Sequence, residues 1–162
     1  MDISQPFTIV NKISKQDYIN LIFKKSYKHP IYIIVTIVGV LMLCVAILSF
    51  MNLIPMQDSS KPPIFQLIFG IVALILPFIV KMQAGKIYDN SPRLQEDVQY
   101  TFSDSEIKCS GKDFSSSFSW NQVIKKEEIG KFILLLTGKG IGEIIDKQAF
   151  TPQQLQFVKS KV

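Results

Sequence analysis

Two apolar stretches decide the fold of this chain: residues 31–54, which read IYIIVTIVGVLMLCVAILSFMNLI, and residues 64–80, which read IFQLIFGIVALILPFIV. They hold 34 apolar residues in 41 positions, and neither contains a charged residue. The hydrocarbon core of a bilayer, about 30 Å thick, is crossed by about 20 helical residues, with about 17 as the lower limit. Both stretches therefore predict transmembrane helices. Because only residues 55–63 connect them, we expect an antiparallel hairpin with a short extracytoplasmic loop.

The first stretch fits a soluble core helix, a signal peptide or a lipoprotein segment less well than a membrane span. A buried core helix this apolar needs a far larger soluble domain around it, and a signal peptide has a shorter apolar segment nearer the N-terminus. Lipidation at Cys44 is rejected because Leu43 stands where a lipoprotein motif needs a small residue. The spans contain no ionisable residue of the kind that marks an ion or substrate pathway. An anchoring hairpin is therefore favoured over a two-helix transporter.

The order of charges along the chain predicts the orientation of the hairpin. Five lysines precede the first span, two lysines and an arginine closely follow the second, and the loop has only Lys61. Cytoplasmic segments carry the excess of Lys and Arg. We therefore expect a multi-pass protein with both termini in the cytoplasm and Ser59–Ser60 outside. Small residues on both spans predict a close helix–helix approach; they are Gly39, Ala46, Gly70 and Ala73.

Residues 1–30 predict a cytoplasmic strand followed by an amphipathic helix. Residues 6–12 alternate as a strand does, with Phe7, Ile9 and Asn11 on one face. Ser14 then resembles a helix N-cap, and apolar residues follow at helical spacing; they are Ile19, Ile22, Phe23 and Tyr27. This helix either binds lipid or packs on the soluble domain. Packing is favoured because three lysines fall short of the usual lipid-binding cluster of about four to eight.

The rest of the chain has the apolar fraction of a small soluble domain, which favours an α+β module over a further span. Residues 81–95 form a juxtamembrane connector, in which the helix continues briefly and breaks at residues 90–92. Residues 96–162 read mainly as antiparallel strands, including residues 98–102, 123–129, 132–136 and 141–145. Thr151, Pro152 and Gln154 form a capping box that begins a C-terminal helix.

The segments of this module resemble the YcxB-like family of small bacterial membrane proteins. The resemblance lies in VQYTF at residues 98–102, SFSW at 117–120, FILLL at 132–136 and IIDKQAFT at 144–151, and in the order of strand, helix, two spans and module. It implies a bacterial cell-membrane location and a pleckstrin-homology-like sheet that ends in a helix. It implies no particular biochemical activity.

No constellation of residues in the sequence predicts chemistry. His29 is the only histidine, and Cys44 and Cys109 fall in a span and in a strand, so neither a histidine metal site nor a disulfide is expected. The adjacent Glu127 and Glu128 should point to opposite faces of a strand. GKGIGE at residues 138–143 matches no phosphate-binding fingerprint and reads as a hairpin turn. We therefore predict no catalytic, cofactor-binding or metal-binding residues, and no cofactor.

The sequence narrows the function without naming an activity. Residues 82–162 hold 11 basic and 10 acidic residues, which offers no basic surface for nucleic acid. The leading hypothesis is a non-enzymatic membrane-anchored scaffold that binds a protein partner or itself, with the lipid bilayer as its other contact. The alternatives are an immunity or stress-protection protein at the membrane and, less favoured, a membrane enzyme with a polar pocket near Glu127, Asp146 and Lys147.

Overall fold

The computed structural model describes residues 6–54, 63–138 and 142–161. The chain divides into two compact units: a helical unit of residues 22–84, and a sheet unit comprising residues 1–21 and 85–162. The predicted loop, with Ser59 and Ser60, falls largely outside the described residues, as do residues 139–141 of the glycine-rich turn.

The described elements follow one another as strand, three helices, a one-turn helix, six strands and a final helix. They are β1 Phe7–Asn11, α1 Lys15–Tyr27, α2 Pro30–Phe50, α3 Ile64–Asp89, α4 Pro92–Gln95, β2 Val98–Phe102, β3 Glu106–Ser110, β4 Ser115–Ser119, β5 Val123–Ile129, β6 Phe132–Thr137, β7 Gly142–Asp146 and α5 Pro152–Ser160. This order confirms the predicted fold class of a helical hairpin with an antiparallel sheet module and a C-terminal helix.

Helices α2 and α3 are long and apolar enough to cross a membrane, and only 11% of the most apolar part of each is buried. That exposure argues against a core helix, whose apolar side chains would be covered by protein. The two helices meet at small residues, as expected: a Cβ added at Gly39 would lie 2.2 Å from the Cβ of Ala73, and one added at Gly70 would lie 2.3 Å from Leu43 Cγ.

Helix α2 ends before the predicted limit of its span, whereas the extension of α3 beyond its span agrees with the prediction. Helix α2 stops at Phe50, four residues earlier, because Asn52 adopts a left-handed conformation with φ 56°. The backbone N–H of Leu53 donates to Leu48 O and that of Asn52 to Ser49 O, the hydrogen bonds of a Schellman cap. At the other end, α3 continues past Val80 to Asp89, as the connector residues predicted.

The sheet unit contains two antiparallel sheets, ordered β1-β2-β3-β4 and β5-β6-β7. Strand β1 pairs with β2, with Phe7 opposite Phe102 and Asn11 opposite Val98. The hairpin is therefore inserted, in sequence, between two neighbouring strands of one sheet. The sequence predicted the strand at residues 6–12 but not its pairing with the C-terminal module, because no local pattern encodes a partner about 90 residues away.

The core of the sheet unit is apolar and rich in aromatic rings. Phe102 packs against the rings of Phe7, Trp120 and Phe150, with ring centroids 5.2–6.1 Å apart. Strand β6 is buried at four successive positions, as its continuous apolar sequence predicted. The capping box of Thr151 and Gln154 is present at the start of α5.

Several local predictions for the sheet unit need correction. The alternation of Phe114, Phe118 and Trp120 predicts one strand that includes Trp120, whereas Trp120 begins a 3-10 turn after β4. Strand β7 is described over Gly142–Asp146, and its predicted start at residue 141 lies outside the described residues. On α5, helical spacing predicts Leu155 and Val158 as the inward pair, whereas the buried pair is Phe157 and Val158 and Leu155 is only partly buried. On α1 the buried residues are Tyr18 and Leu21. The sequence instead predicted a buried face that contains Ile19 and Ile22.

Candidate functional site

A cavity of about 210 Å³ lies at one end of the sheet unit. Three segments form its wall: the end of β1, the chain from α4 into β2, and the start of β7. The polar groups that line it come from Asn11, Ser91, Arg93, Glu96, Tyr100 and Glu143.

Glu143 is the centre of the polar network at this cavity. Its side chain is only 12% exposed, because residue 143 shares the inward face of β7 with the fully buried Ile145. Arg93 forms an ion pair with Glu143 Oε1, and Tyr100 Oη donates a 2.7 Å hydrogen bond to Oε2. The Arg93 guanidinium also lies 4.4 Å from the centroid of the Phe114 ring. Both carboxylate oxygens thus have a donor, which compensates for their burial.

Tyr100 and Cys109, which also lie near Glu143, are held in their neutral forms. Burial, followed by the negative charge of Glu143, raises the pKa of Tyr100 far above its ordinary value. Burial likewise raises the pKa of the Cys109 thiol, whose sulfur lies 3.5 Å from Ser116 Oγ. A cysteine nucleophile needs a lowered pKa. The network therefore suits a fixed structural role better than nucleophilic chemistry.

A second, larger cavity of about 630 Å³ opens beside β4. We call it the β4 groove, and residues of β4, the 3-10 turn and β5 line it; they include Ser116, Ser117, Phe118, Asn121, Gln122 and Ile124. Glu143 lines this groove as well as the first cavity. Ile124 is 74% exposed, which is unusual for a large apolar side chain on a strand of a small module.

Strand β4 forms one edge of its sheet, and the hydrogen-bond pattern shows which of its groups face outward. Gly111 N donates to Phe114 O before the strand, and Trp120 N donates to Ser105 O after it. Residue pairs in an antiparallel ladder alternate between bonded and non-bonded. Phe118 and Ser116 therefore bond to β3, whereas the backbone N–H and C=O groups of Ser115, Ser117 and Ser119 point to the open edge.

The residues considered for an enzyme pocket are instead held in ion pairs. Glu128 contacts Lys159 at 2.9 Å and Lys147 at 3.3 Å, and the hydrogen bond from Lys159 is the largest cause of its lowered pKa. Glu127 pairs with Lys125, and Asp146 pairs with Lys131 at 3.2 Å. Glu127 on β5 and Asp146 on β7 lie on strands separated by β6 and contact different lysines.

The remaining candidate residues belong to the helical unit. His29 occupies the N-cap position of α2, and Cys44 is an exposed thiol on that helix. Within the described residues, no group of three or more His, Cys, Asp or Glu side chains is arranged to hold a metal ion.

The sequence reasoning missed Arg93, Tyr100 and Glu143 as members of one network. The burial of Glu143 could have been predicted, because Glu143 is a charged residue two positions from Ile145 on a half-buried strand and therefore shares its inward face. The pairing of Arg93 could not have been predicted, because its partner lies 50 residues away in the chain.

Comparison with known proteins identifies the C-terminal segment. Residues 102–162 match the family model of the YcxB-like protein, which confirms the resemblance suggested by the strand and helix motifs. No curated protein and no solved structure matches the chain.

Proposed function

We propose that this YcxB-like chain is a non-enzymatic protein of the bacterial cell membrane, whose sheet unit docks an extended segment of a partner protein beside β4. Helices α2 and α3 serve as its anchor, because both are long and apolar enough to span a bilayer. The four- and three-stranded sheets followed by α5 support the pleckstrin-homology-like fold that the family resemblance implies.

The pairing of β1 with β2 supports a two-span anchor with both termini on one side. Two hydrogen-bonded strands of one sheet must lie on the same side of the membrane, so the chain between them crosses an even number of times. Helices α2 and α3 lie between Asn11 and Val98 in sequence and provide two crossings. The lysines that flank the spans favour the cytoplasm as the side that holds the sheet unit.

The open edge of β4 is the observation that carries the proposal. Within the part of the chain that the structure describes, β4 is hydrogen-bonded to β3 on one side and to no strand on the other. Natural proteins protect such edges with lysine, proline, a bulge or a covering segment. The sequence SSSFS of β4 has no lysine or proline, and its register with β3 has no bulge. An extended peptide could therefore add to it as a further strand.

The β4 groove provides the side-chain contacts that such a peptide needs. Five extended residues span about 17 Å, and a strand of that length matches the five residues of β4. Alternate side chains of an added strand would face the groove, where Ile124 and Phe118 offer apolar surface. We therefore expect the partner segment to carry apolar residues at alternate positions.

A non-enzymatic role is supported by the state of the Glu143 network. Both oxygens of Glu143 are engaged by Arg93 and Tyr100, and the raised pKa of Cys109 keeps its thiol protonated. These groups stabilise one another, and none is poised as a general base or nucleophile.

The test uses two substitutions at one outward-facing position of β4. Ser117→Pro removes an edge N–H without removing a ladder hydrogen bond, since proline is tolerated where its nitrogen faces the open edge. Ser117→Ala is the matched control, because it keeps the N–H. A photocrosslinking amino acid at Gln122, in the same groove, reports the docked segment in native membranes.

We expect crosslinking to one partner that falls at least about fivefold with Ser117→Pro and stays unchanged with Ser117→Ala, as the loss of one hydrogen bond of about 1 kcal/mol requires. Equal crosslinking by both variants contradicts docking at the strand edge. A crosslinked product of two copies of this chain contradicts a separate partner and indicates self-association.

A further inference from the structure

The helical unit brings a fourth lysine to the basic end of α1. Lys81, on α3, places its Nζ 4.7 Å from the centroid of the Phe23 ring on α1. Lys24 and Lys25 follow Phe23 directly, and Lys28 lies one turn further on. Along the sequence these lysines appear as a group of three and an isolated residue more than 50 positions away, which is why the sequence favoured a packing role for α1.

Lys24 and Lys25 lie in the last turn of α1, and Lys28 follows its last residue, with its backbone N–H donating to Lys24 O at 3.0 Å. Successive residues of an α-helix are rotated by about 100°, so Lys24, Lys25 and Lys28 fall within an arc of about 100°, and Phe23, which Lys81 contacts, lies about 100° before Lys24. Lys24, Lys28 and Lys81 are exposed, and Lys25 is partly exposed. We call these four residues the lysine cluster.

No neighbouring acid in the helical unit neutralises this cluster. The sequence has no Asp or Glu in residues 18–57 or 59–88. Asp58 is the single acidic residue of residues 22–84 and lies outside the described residues, so the described helical unit provides no carboxylate for any of the four lysines. Grouped ammonium ions repel one another unless an external anion compensates them.

The position of the cluster relative to the apolar helices selects the kind of anion. Lys28 lies two residues before α2 begins, and Lys81 directly follows the apolar residues 64–80 of α3. Aromatic rings occupy the same level: Tyr27 packs against Phe23 and Tyr32, with ring centroids 4.6 and 5.7 Å apart. Tyrosine is typical of the membrane interface, where the phosphates of lipid headgroups lie.

We infer that Lys24, Lys25, Lys28 and Lys81 form a basic surface that binds the phosphates of anionic phospholipid headgroups. Four basic residues reach the size at which juxtamembrane clusters recognise anionic lipids. The ligand is the lipid itself, because the apolar helices beside this surface contact its acyl chains, which a free phosphate lacks. The cluster thus selects lipid in addition to setting the orientation of the hairpin.

The experiment compares lipids retained by the purified full chain in detergent, measured by native mass spectrometry. Phosphatidylglycerol, phosphatidylcholine and inorganic phosphate are added separately and in competition. One variant combines Lys24→Gln, Lys25→Gln and Lys81→Gln. The matched control combines Lys108→Gln, Lys112→Gln and Lys161→Gln, which removes the same charge from the sheet unit.

We expect the chain to retain phosphatidylglycerol in preference to phosphatidylcholine. In the cluster variant, retention of phosphatidylglycerol should fall roughly a hundredfold, because each of the three lysines contributes a factor of about five. The control should retain lipid as the original chain does, and Lys→Arg at the three cluster positions should restore retention, which separates loss of charge from misfolding. Equal retention of both lipids, or unchanged retention by the cluster variant, overturns the lipid-binding surface. Displacement of phosphatidylglycerol by equimolar inorganic phosphate overturns the assignment to lipid.

Discussion

At the scale of single residues, Asn11 joins the two sheets of the sheet unit. Its side chain is 3% exposed and lies between β1 and β7. Asn11 Nδ2 donates to Ile144 O at 2.9 Å, and Asp146 N donates to Asn11 Oδ1 at the same distance. The amide thus replaces two backbone hydrogen bonds where β1 and β7 approach without forming a ladder.

Replacing Asn11 with leucine should therefore destabilise the sheet unit by about 2–4 kcal/mol, because two backbone groups lose their partners in a buried site. Urea unfolding followed by fluorescence of Trp120, the single tryptophan, measures this in the sheet unit. Gln99→Leu is the control on the neighbouring strand, where the side chain is exposed, and should change stability by less than about 0.5 kcal/mol. A similar change for both variants would show that Asn11 does not link the sheets.

Lys131 makes a second link, between Asp17 on α1 and Asp146 at the end of β7, at 3.1 and 3.2 Å. The Ser14 hydroxyl and then Lys131 lower the pKa of Asp17, and the hydrogen bond to Asp17 raises the pKa of Lys131. The lowered pKa of Asp17 adds stability above its unfolded pKa of about 3.9, which is lost as the pH falls below it. The raised pKa of Lys131 adds stability below its unfolded pKa of about 10.4, which is lost as the pH rises beyond it.

The stability difference between the original chain and Lys131→Gln should thus be constant from about pH 5 to pH 9 and shrink at both extremes. Urea unfolding from about pH 3 to about pH 11, which brackets the unfolded pKa values of both groups, measures it, with Lys112→Gln as the control. A difference that grows at either extreme contradicts the assigned ion pairs.

At the scale of elements, the α2–α3 contact depends on residues with almost no side chain. At Gly39 an added methyl group would overlap the Cβ of Ala73, which cannot rotate away. Gly39→Ala should therefore force the helices apart and lower the thermal midpoint of the chain in detergent, at a cost of about 1–3 kcal/mol. Gly85→Ala on α3 is the control, because its Cβ would meet other side chains at 3.5 Å or more. Equal midpoints for the two variants would show that the close contact is not required.

Local elements could be predicted where the sequence contains capping residues or a clear alternating pattern. Thr151 and Gln154 cap α5 through contacts three residues apart, and β5 runs over Val123–Ile129 as its pattern indicates. The end of α2 could not be predicted, because the apolar sequence continues past Asn52. The left-handed conformation of Asn52 ends the helix. The Glu143 network and the pairing of β1 with β2 could not be predicted, because they join residues far apart in the chain. A single sequence gives no direct signal of such contacts.

At the scale of the whole molecule, two apolar helices are inserted in sequence between β1 and β2, so the proposed membrane anchor would link folding to membrane topology. The sheet can close only if residues 7–11 and 98–102 are on the same side of the membrane. A substitution that inverted one span would therefore also remove an edge strand from the sheet. This coupling follows from the strand order together with the two proposed crossings, and it does not depend on which partner or lipid the protein binds.

The most direct test is thiol labelling in intact cells with a membrane-impermeant maleimide, in chains whose Cys44 and Cys109 are replaced by alanine. A cysteine at Ser59 should react in intact cells, whereas cysteines at Thr8 and Thr101, which face each other across β1 and β2, should react only after permeabilisation. Labelling of Ser59→Cys only after permeabilisation, or of Thr8→Cys and Thr101→Cys on opposite sides of the membrane, would contradict a hairpin that anchors a cytoplasmic sheet unit.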